Sequence, residues 1–422
     1  MPIPAARQLP AHCFSISSHE YGDDMAGQIL AGIRVLELGQ LIAGPFAAKT
    51  LADFGAQVIK IEPPGQGDPL RKWRLLHEGT SVWWEAQSRN KQSVCVDLRQ
   101  PEGQDLARQL AAQADVLIEN FRPGTMEKWG LSWEALHALN PRLIMLRISG
   151  YGQTGPKAQE PGFAAIGEAM AGLRYLNGEP GRAPVRAGLS LGDTIAGLHG
   201  AMGVLLALYQ RDARGGQGQV IDAALYESIF NLSESLLPEY SVFGAVRRAG
   251  RRRAAGHRPV QRLSVPRRLR AHRRQRRRHL PAPHAAHRAH RPGRRPRARA
   301  QRRPRAPRPR AGCRHRRLDR PARHRQRARG HARAAGVPAG RIYSVADIAQ
   351  DPHYQARGAI ARLRAASGID VDMPAVFPCL SDNPGAIRER APLLGEHTDA
   401  VLEEAGLDDA ARAGLRARGV IA

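Results

Sequence analysis

At 422 residues with 42% hydrophobic content, the chain is long enough for two or three domains with buried cores, which excludes a peptide, a wholly disordered chain and a collagen-like repeat. The formal charge of +27 would suggest a nucleic-acid or membrane-surface partner. However, residues 247–333 alone hold 35 arginines, nine histidines and one acidic residue, Asp319; this window of 87 residues contributes +34 and leaves −7 for an ordinary, mildly acidic remainder.

The first 24 residues mix Pro, His, Ser and acidic side chains without an apolar h-region. Residues 1–28 therefore read as an N-terminal extension or an over-called start, not a signal peptide. IRVLELG (33–39) predicts a first strand and AGPFAAKTLADFG (43–55) a helix closed by Gly55. AQVIKIEPP predicts a second strand, stopped by Pro63 and Pro64. SVCVDL, then PEGQDLARQLAAQ with Pro101 in its first turn, then ADVLIENF repeat the strand–helix–strand unit. RLIMLRISG (142–150) adds a strand, and Thr194 to Tyr209 predicts a long buried helix. This alternation predicts an α/β domain of Rossmann-like type, with parallel strands joined by right-handed crossovers.

Several partners are disfavoured. The turn after the first strand is GQLIAGP, not GxGxxG, and GxxxxGK[ST] occurs nowhere, so NAD and ATP are poor first guesses. The longest apolar run, around Met202 to Tyr209, is well short of the roughly 20 residues of a spanning helix. Cys13, Cys95, Cys313 and Cys379 are far apart with no ligand-spaced His, which indicates neither a disulfide framework nor a metal site and fits a reducing cytoplasm.

From Arg247 to Arg333 the vocabulary lacks Lys, Glu, Asn, Thr, Ile, Met, Phe, Tyr and Trp, and so cannot build a core. Three readings stay open for it. One is a basic arm for phosphates, although it has no aromatic platform for single strands. A second is a low-complexity linker. The third, which the composition favours, is a GC-rich gene read out of frame between two compensating frame changes, because the surviving residues are mostly those with codons beginning in G or C. Ordinary texture returns at Ala335.

Asp193, between Gly192 and Thr194, opens the long apolar helix. It can be an N-cap accepting from free backbone N–H groups. It can equally be a nucleophile, with small neighbours that admit a bulky reactant and a helix end that keeps the carboxylate ionised.

GQLIAGPFAAKTLADFGAQVIKIEPPGQGDPLR, NKQSVCVDLRQPEG, ADVLIENFRPGTMEKWGL, GDTIAG, RGGQGQVIDAALYES and APLLGEHTDAVLEEAGL, in this order, resemble the class III (CaiB/BaiF) CoA-transferases. The likeness runs from about Ala31 to Val246 and from about Ala335 to the end. It implies a Rossmann-like large domain from both chain ends (29–225 and 335–422), a smaller middle domain within 226–334 disrupted from about 247, and an interlocked homodimer. It also implies a cytoplasmic enzyme that moves CoA from an acyl-CoA to a carboxylic acid, with Asp193 as catalytic nucleophile and CoA as substrate, not cofactor.

For CoA, the resemblance points to Gln40, Ile42 and Ala43; to Val96, Asp97, Leu98 and Arg99; to Asn120, Phe121, Arg122 and Lys128; and to Phe163. Arg71, Arg99, Arg122 and Lys128 would meet the phosphates, although each taken singly reads as a solvated surface charge and only the motif context changes that. His199 reads as a core residue. Relatives that racemise α-methylacyl-CoA carry a His-Asp pair where this chain has Phe163 and Ala164, which favours transfer over racemisation. Nucleic-acid binding through the arginine-rich segment is the rival from another class.

Overall fold

Residues 28–249, 340 and 342–422 are described by a computed structural model. Residues 28–249 and 345–422 belong to one unit; of the second, 252–344, only Gly340 and residues 342–344 are described. The N-terminal extension up to residue 27, Cys13, Cys313 and nearly all of the arginine-rich segment lie outside the described residues.

The chain opens with β1 (Arg34–Glu37), α1 (Ala43–Ala52) and β2 (Gln57–Glu62). A short hairpin, β3 (Leu76–His77) and β4 (Thr80–Ser81), and α2 (Val82–Gln87) lead to β5 (Lys91–Cys95). Next come α3 (Pro101–Ala112), β6 (Val116–Glu119), α4 (Thr125–Lys128), α5 (Trp133–Leu139) and β7 (Ile144–Ser149). The helices α6 (Ala164–Met170), α7 (Leu173–Leu176) and α8 (Leu191–Ala213) precede β8 (Val220–Ala224), α9 (Leu225–Phe230) and α10 (Leu236–Phe243). The return segment holds α11 (Val345–Ala349), α12 (Pro352–Ala356), the antiparallel pair β9 (Ile360–Arg364) and β10 (Asp370–Pro374), α13 (Thr398–Glu404) and α14 (Asp409–Ala417).

Six strands form one parallel sheet in the order β5-β2-β1-β6-β7-β8, a doubly wound arrangement with its reversal between β1 and β6. Both faces are buried, so the strands read as continuous apolar runs. Val35, Val58, Val116, Ile118 and Ile144 pack with α1 and α8, whereas Leu36, Ile59, Leu117 and Met145 pack with α3 and the C-terminal helices. The chain end closes the β5 edge: Asp97 N–H donates to the Val420 carbonyl at 2.8 Å, and Cys95 N–H to Thr398 Oγ1 at 3.1 Å.

The expected strands and crossover helices are present. β8, inside RGGQGQVIDAALYES, is an edge strand whose first three residues are exposed or half-buried, so its sequence lacks the buried-strand signature. The long helix departs from expectation. It runs 23 residues and is long and apolar enough to cross a membrane by length and composition, although its small-residue face, with Ala196, Gly197, Gly200 and Val204, is buried in the domain. Its other face is exposed at Leu198, Met202, Leu206 and Tyr209, and His199 is only half-buried, so neither the helix nor this histidine is the core element expected.

Gly197 sets the α1–α8 approach: a Cβ there would stand 2.6 Å from the Ala43 carbonyl oxygen. Gly197→Ala is therefore expected to push the two helices apart and cost about 1–3 kcal/mol, read as a lower denaturant midpoint at constant slope.

Candidate active site

Ligands of open parallel sheets bind outside the carboxyl ends of the strands, where strand order reverses. The loops leaving β1 and β6 meet at that point. Asn120 Oδ1 accepts the Gln40 N–H at 2.8 Å, and Asn120 Nδ2 donates to the Gln40 carbonyl at 2.8 Å. Leu41 then takes φ of 63°, uncommon for a residue with a side chain, and its N–H donates to Asp68 Oδ1 at 3.0 Å. Ile42 and Ala43 follow at the start of α1, so Gln40, Ile42, Ala43 and Asn120 are brought together.

Beneath this turn lies a charge cluster that motif reading misses. Fully buried Lys60 contacts Glu37 Oε1 at 2.9 Å, Asp68 Oδ2 at 2.8 Å and the Gly39 carbonyl at 2.7 Å. Lys91 pairs with Glu37 Oε2 at 2.7 Å and donates to the Pro45 carbonyl at 2.9 Å. Both ends of the turn and its central N–H are thus tied to one set of ions. Burial opposes the charge on Lys60, but Asp68, Glu37 and Glu62 outweigh it and hold its pKa above the ordinary lysine range. Burial pushes Lys91 down to about 8, against the pull of Glu37. The available signal is a charged residue inside each of three strands that are otherwise buried.

Arg71 belongs to the interior and is not offered to a phosphate. Its guanidinium grips Glu62 twice at 2.7 Å, donates to the Pro392 carbonyl at 3.1 Å and lies 3.7 Å from the Trp84 ring. Leaving would strand a buried carboxylate. The segment 96–99 lies beyond β5, separated from β1 by β2. Val96 and Leu98 are core residues there, and Asp97 holds the exposed Arg99 at 2.8 and 2.9 Å. By contrast, Phe121 stacks edge-on to Trp129 at 5.0 Å, and the exposed side chains of Arg122 and Lys128 have no partner among the described residues. These two cations are free to meet an anion near the Asn120 turn.

Asp193 is the third residue of α8, not its cap; the cap position is Ser190, without a side-chain bond. The carboxyl is half-buried and has no hydrogen-bond partner among the described residues. Burial pushes its pKa up to about 6, with Arg186 pulling down and Glu168 adding to the rise. The expected ionising influence of the helix end is therefore outweighed, although the group remains mostly charged at pH 7. One turn on from Asp193, Gly197 abuts the Ala43 end of α1, which the Gln40–Ala43 turn opens. Phe163, 62% exposed, immediately precedes α6, whose Ala164 abuts Gly192.

Residues 30–398 match CoA-transferase family III. The chain belongs to this family and is a CoA-transferase. It is 40% identical over 418 aligned residues to succinyl-CoA–D-citramalate CoA-transferase of Chloroflexus aurantiacus, covering 93% of this chain and 98% of that one. It is 41% identical over 386 residues to the alpha subunit of succinyl-CoA–L-malate CoA-transferase of the same organism, covering 89% of this chain and 88% of the relative. A CaiB/BaiF family protein from Brucella suis shares the fold at a TM-score of 0.70 and 28% identity, over 90% of this chain and all of its own. The family III fold thus supplies the Rossmann-like domain expected from both chain ends. Among the described residues of this CoA-transferase, no three His, Cys, Asp or Glu side chains gather as a metal site.

Proposed function

We propose that this CoA-transferase works through Asp193, with a dicarboxylic acyl-CoA such as succinyl-CoA as donor and a short dicarboxylate as acceptor. The donor and acceptor classes follow the names of the D-citramalate and L-malate relatives. The observation that carries the mechanism is a half-buried carboxyl, without a hydrogen-bond partner among the described residues, in the first turn of α8, one turn before the glycine that abuts Ala43. An Asp193 oxygen attacks the thioester carbon, the C–S bond breaks and CoA leaves as thiolate, giving an acyl–aspartyl anhydride. The thiolate attacks the aspartyl carbonyl, the donor acid leaves as carboxylate, and an aspartyl-CoA thioester remains. The acceptor carboxylate attacks that thioester, CoA is again expelled, and it takes the acceptor acyl group from the new anhydride, which restores Asp193. Splitting the exchange in this way lowers each barrier.

Intact-protein mass spectrometry after incubation with succinyl-CoA should show a CoA adduct at Asp193; its absence with bound CoA thioester present would sink the covalent route. Only the carboxylate attacks. With a pKa of about 6, adduct formation should fall about tenfold per pH unit below that value and level off above pH 7.

CoA itself is read onto the turn of Gln40, Ile42 and Ala43, with Asn120 and Phe121 beside it and Arg122 and Lys128 for its phosphates. A second copy of the chain is the proposed cover for the apolar outer face of α8, at Leu198, Met202, Leu206 and Tyr209. Sedimentation should give twice the chain mass. A cytoplasmic setting is proposed as well, supported by the buried, reduced thiol of Cys95.

Residues 247–333 are read as out-of-frame text in place of middle-domain sequence. The alignment to the D-citramalate relative uses 93% of this chain and so reaches both sides of the segment, which supports this reading. Turnover by the chain as written is therefore expected to be weak, and the Asp193 adduct is the more sensitive readout. Sequencing the gene across this segment tests the reading; an open frame with arginine codons in a native transcript overturns it.

A further inference from the structure

Two charged residues beside Asp193 play no part in the steps above. Glu168, fully buried on α6, accepts from Arg186 Nε at 3.2 Å and from the Gly192 N–H at 3.4 Å, one bond to each carboxylate oxygen. Gly192 stands so close to α6 that a Cβ would lie 3.1 Å from the Ala164 Cα. Glu168 is thereby held between α6 and the first turn of α8, and it holds Arg186 in turn.

Arg186 is anchored through Nε alone. Its two terminal nitrogens have no partner among the described residues, and the side chain is 40% exposed. Its charge reaches the Asp193 carboxylate, where it opposes the effect of burial. A guanidinium fixed at Nε still presents coplanar N–H groups on its terminal nitrogens, the arrangement that takes a carboxylate.

We propose that Arg186, anchored by Glu168, recognises the free carboxylate of a dicarboxylic acyl group and so selects succinyl-type thioesters over those of monocarboxylic acids. In a succinyl group that carboxylate lies three carbon–carbon bonds from the thioester carbon. Its cation must therefore stand beside the nucleophile, as Arg186 does, and not at the phosphate end of CoA. The same contact serves donor and acceptor when both are dicarboxylic. It also strengthens as the reaction proceeds, because an acylated Asp193 is neutral and no longer competes for the Arg186 charge.

The inference rests on the transferase reading of Asp193, and the test separates the two. In the full chain carrying Asp193→Asn, which cannot form an anhydride, the dissociation constants of succinyl-CoA and butyryl-CoA are measured by calorimetry. Succinyl-CoA is expected to bind roughly ten- to a hundredfold more tightly. Adding Arg186→Gln with Glu168→Gln, which removes both charges and strands neither, should erase that preference and leave butyryl-CoA affinity unchanged. Arg186→Lys, which keeps the charge without the fork, should retain only part of it. Equal binding of the two thioesters in the Asp193→Asn chain overturns the role of Arg186, as does a preference that survives the paired substitution. Binding of neither thioester overturns the transferase site itself.

Discussion

Asp193→Asn should eliminate the CoA adduct and lower acyl transfer by at least about a thousandfold, while leaving the protein folded. The amide is nearly the size of the carboxyl but cannot open a thioester. The variant should also be slightly more stable at neutral pH. Because the carboxyl pKa rises on folding to about 6, the folded state disfavours the charge. The stabilising contribution is complete below the unfolded value near 4 and is lost as pH climbs through about 6. Asparagine carries no such charge, so up to about 2 kcal/mol is regained above pH 7, and the pH dependence of unfolding between 4 and 6 should flatten. Parallel urea titrations of wild type and variant across that range measure this. A variant that still acquires the adduct would place the nucleophile elsewhere.

Lys60→Met, by contrast, should produce a large loss of stability. The substitution leaves Glu37 and Asp68 buried with one cation fewer, and removing one member of such a cluster costs about 3–5 kcal/mol. Asp68 also holds the Leu41 N–H at 3.0 Å. The variant should therefore lose CoA affinity at temperatures where it remains folded. Combining it with Asp68→Asn should recover part of the stability, since the orphaned charge is then gone. A loss below about 1 kcal/mol would mean that Lys91, already 2.7 Å from Glu37, suffices to neutralise the cluster.

The parallel sheet is legible in sequence because both of its faces are buried. Val35 and Leu36 point to opposite cores yet are equally apolar, so strand runs stand out from their surroundings. The turn residues Gln40 and Ala43 stand out only through the resemblance of GQLIAGP and its flanks to the family, since strand periodicity marks where the turn lies but not what it holds. Charges are not legible in this way, because their partners arrive from distant chain. Arg71 resembles a phosphate ligand, and nothing near it announces that the Pro392 carbonyl, 321 residues on, will take its guanidinium. The acidity of Asp193 likewise depends first on its burial and then on Arg186 and Glu168, which are brought in by the loop before α8 and by α6. α8 misleads because composition does not distinguish a helix buried all round from one with an uncovered apolar face.

The closure of the β5 edge by Val420 and Thr398 bears on how the protein is made. The strand β5 is made early, but Thr398, which caps its edge, follows 303 residues after Cys95, so that edge stays open through most of synthesis.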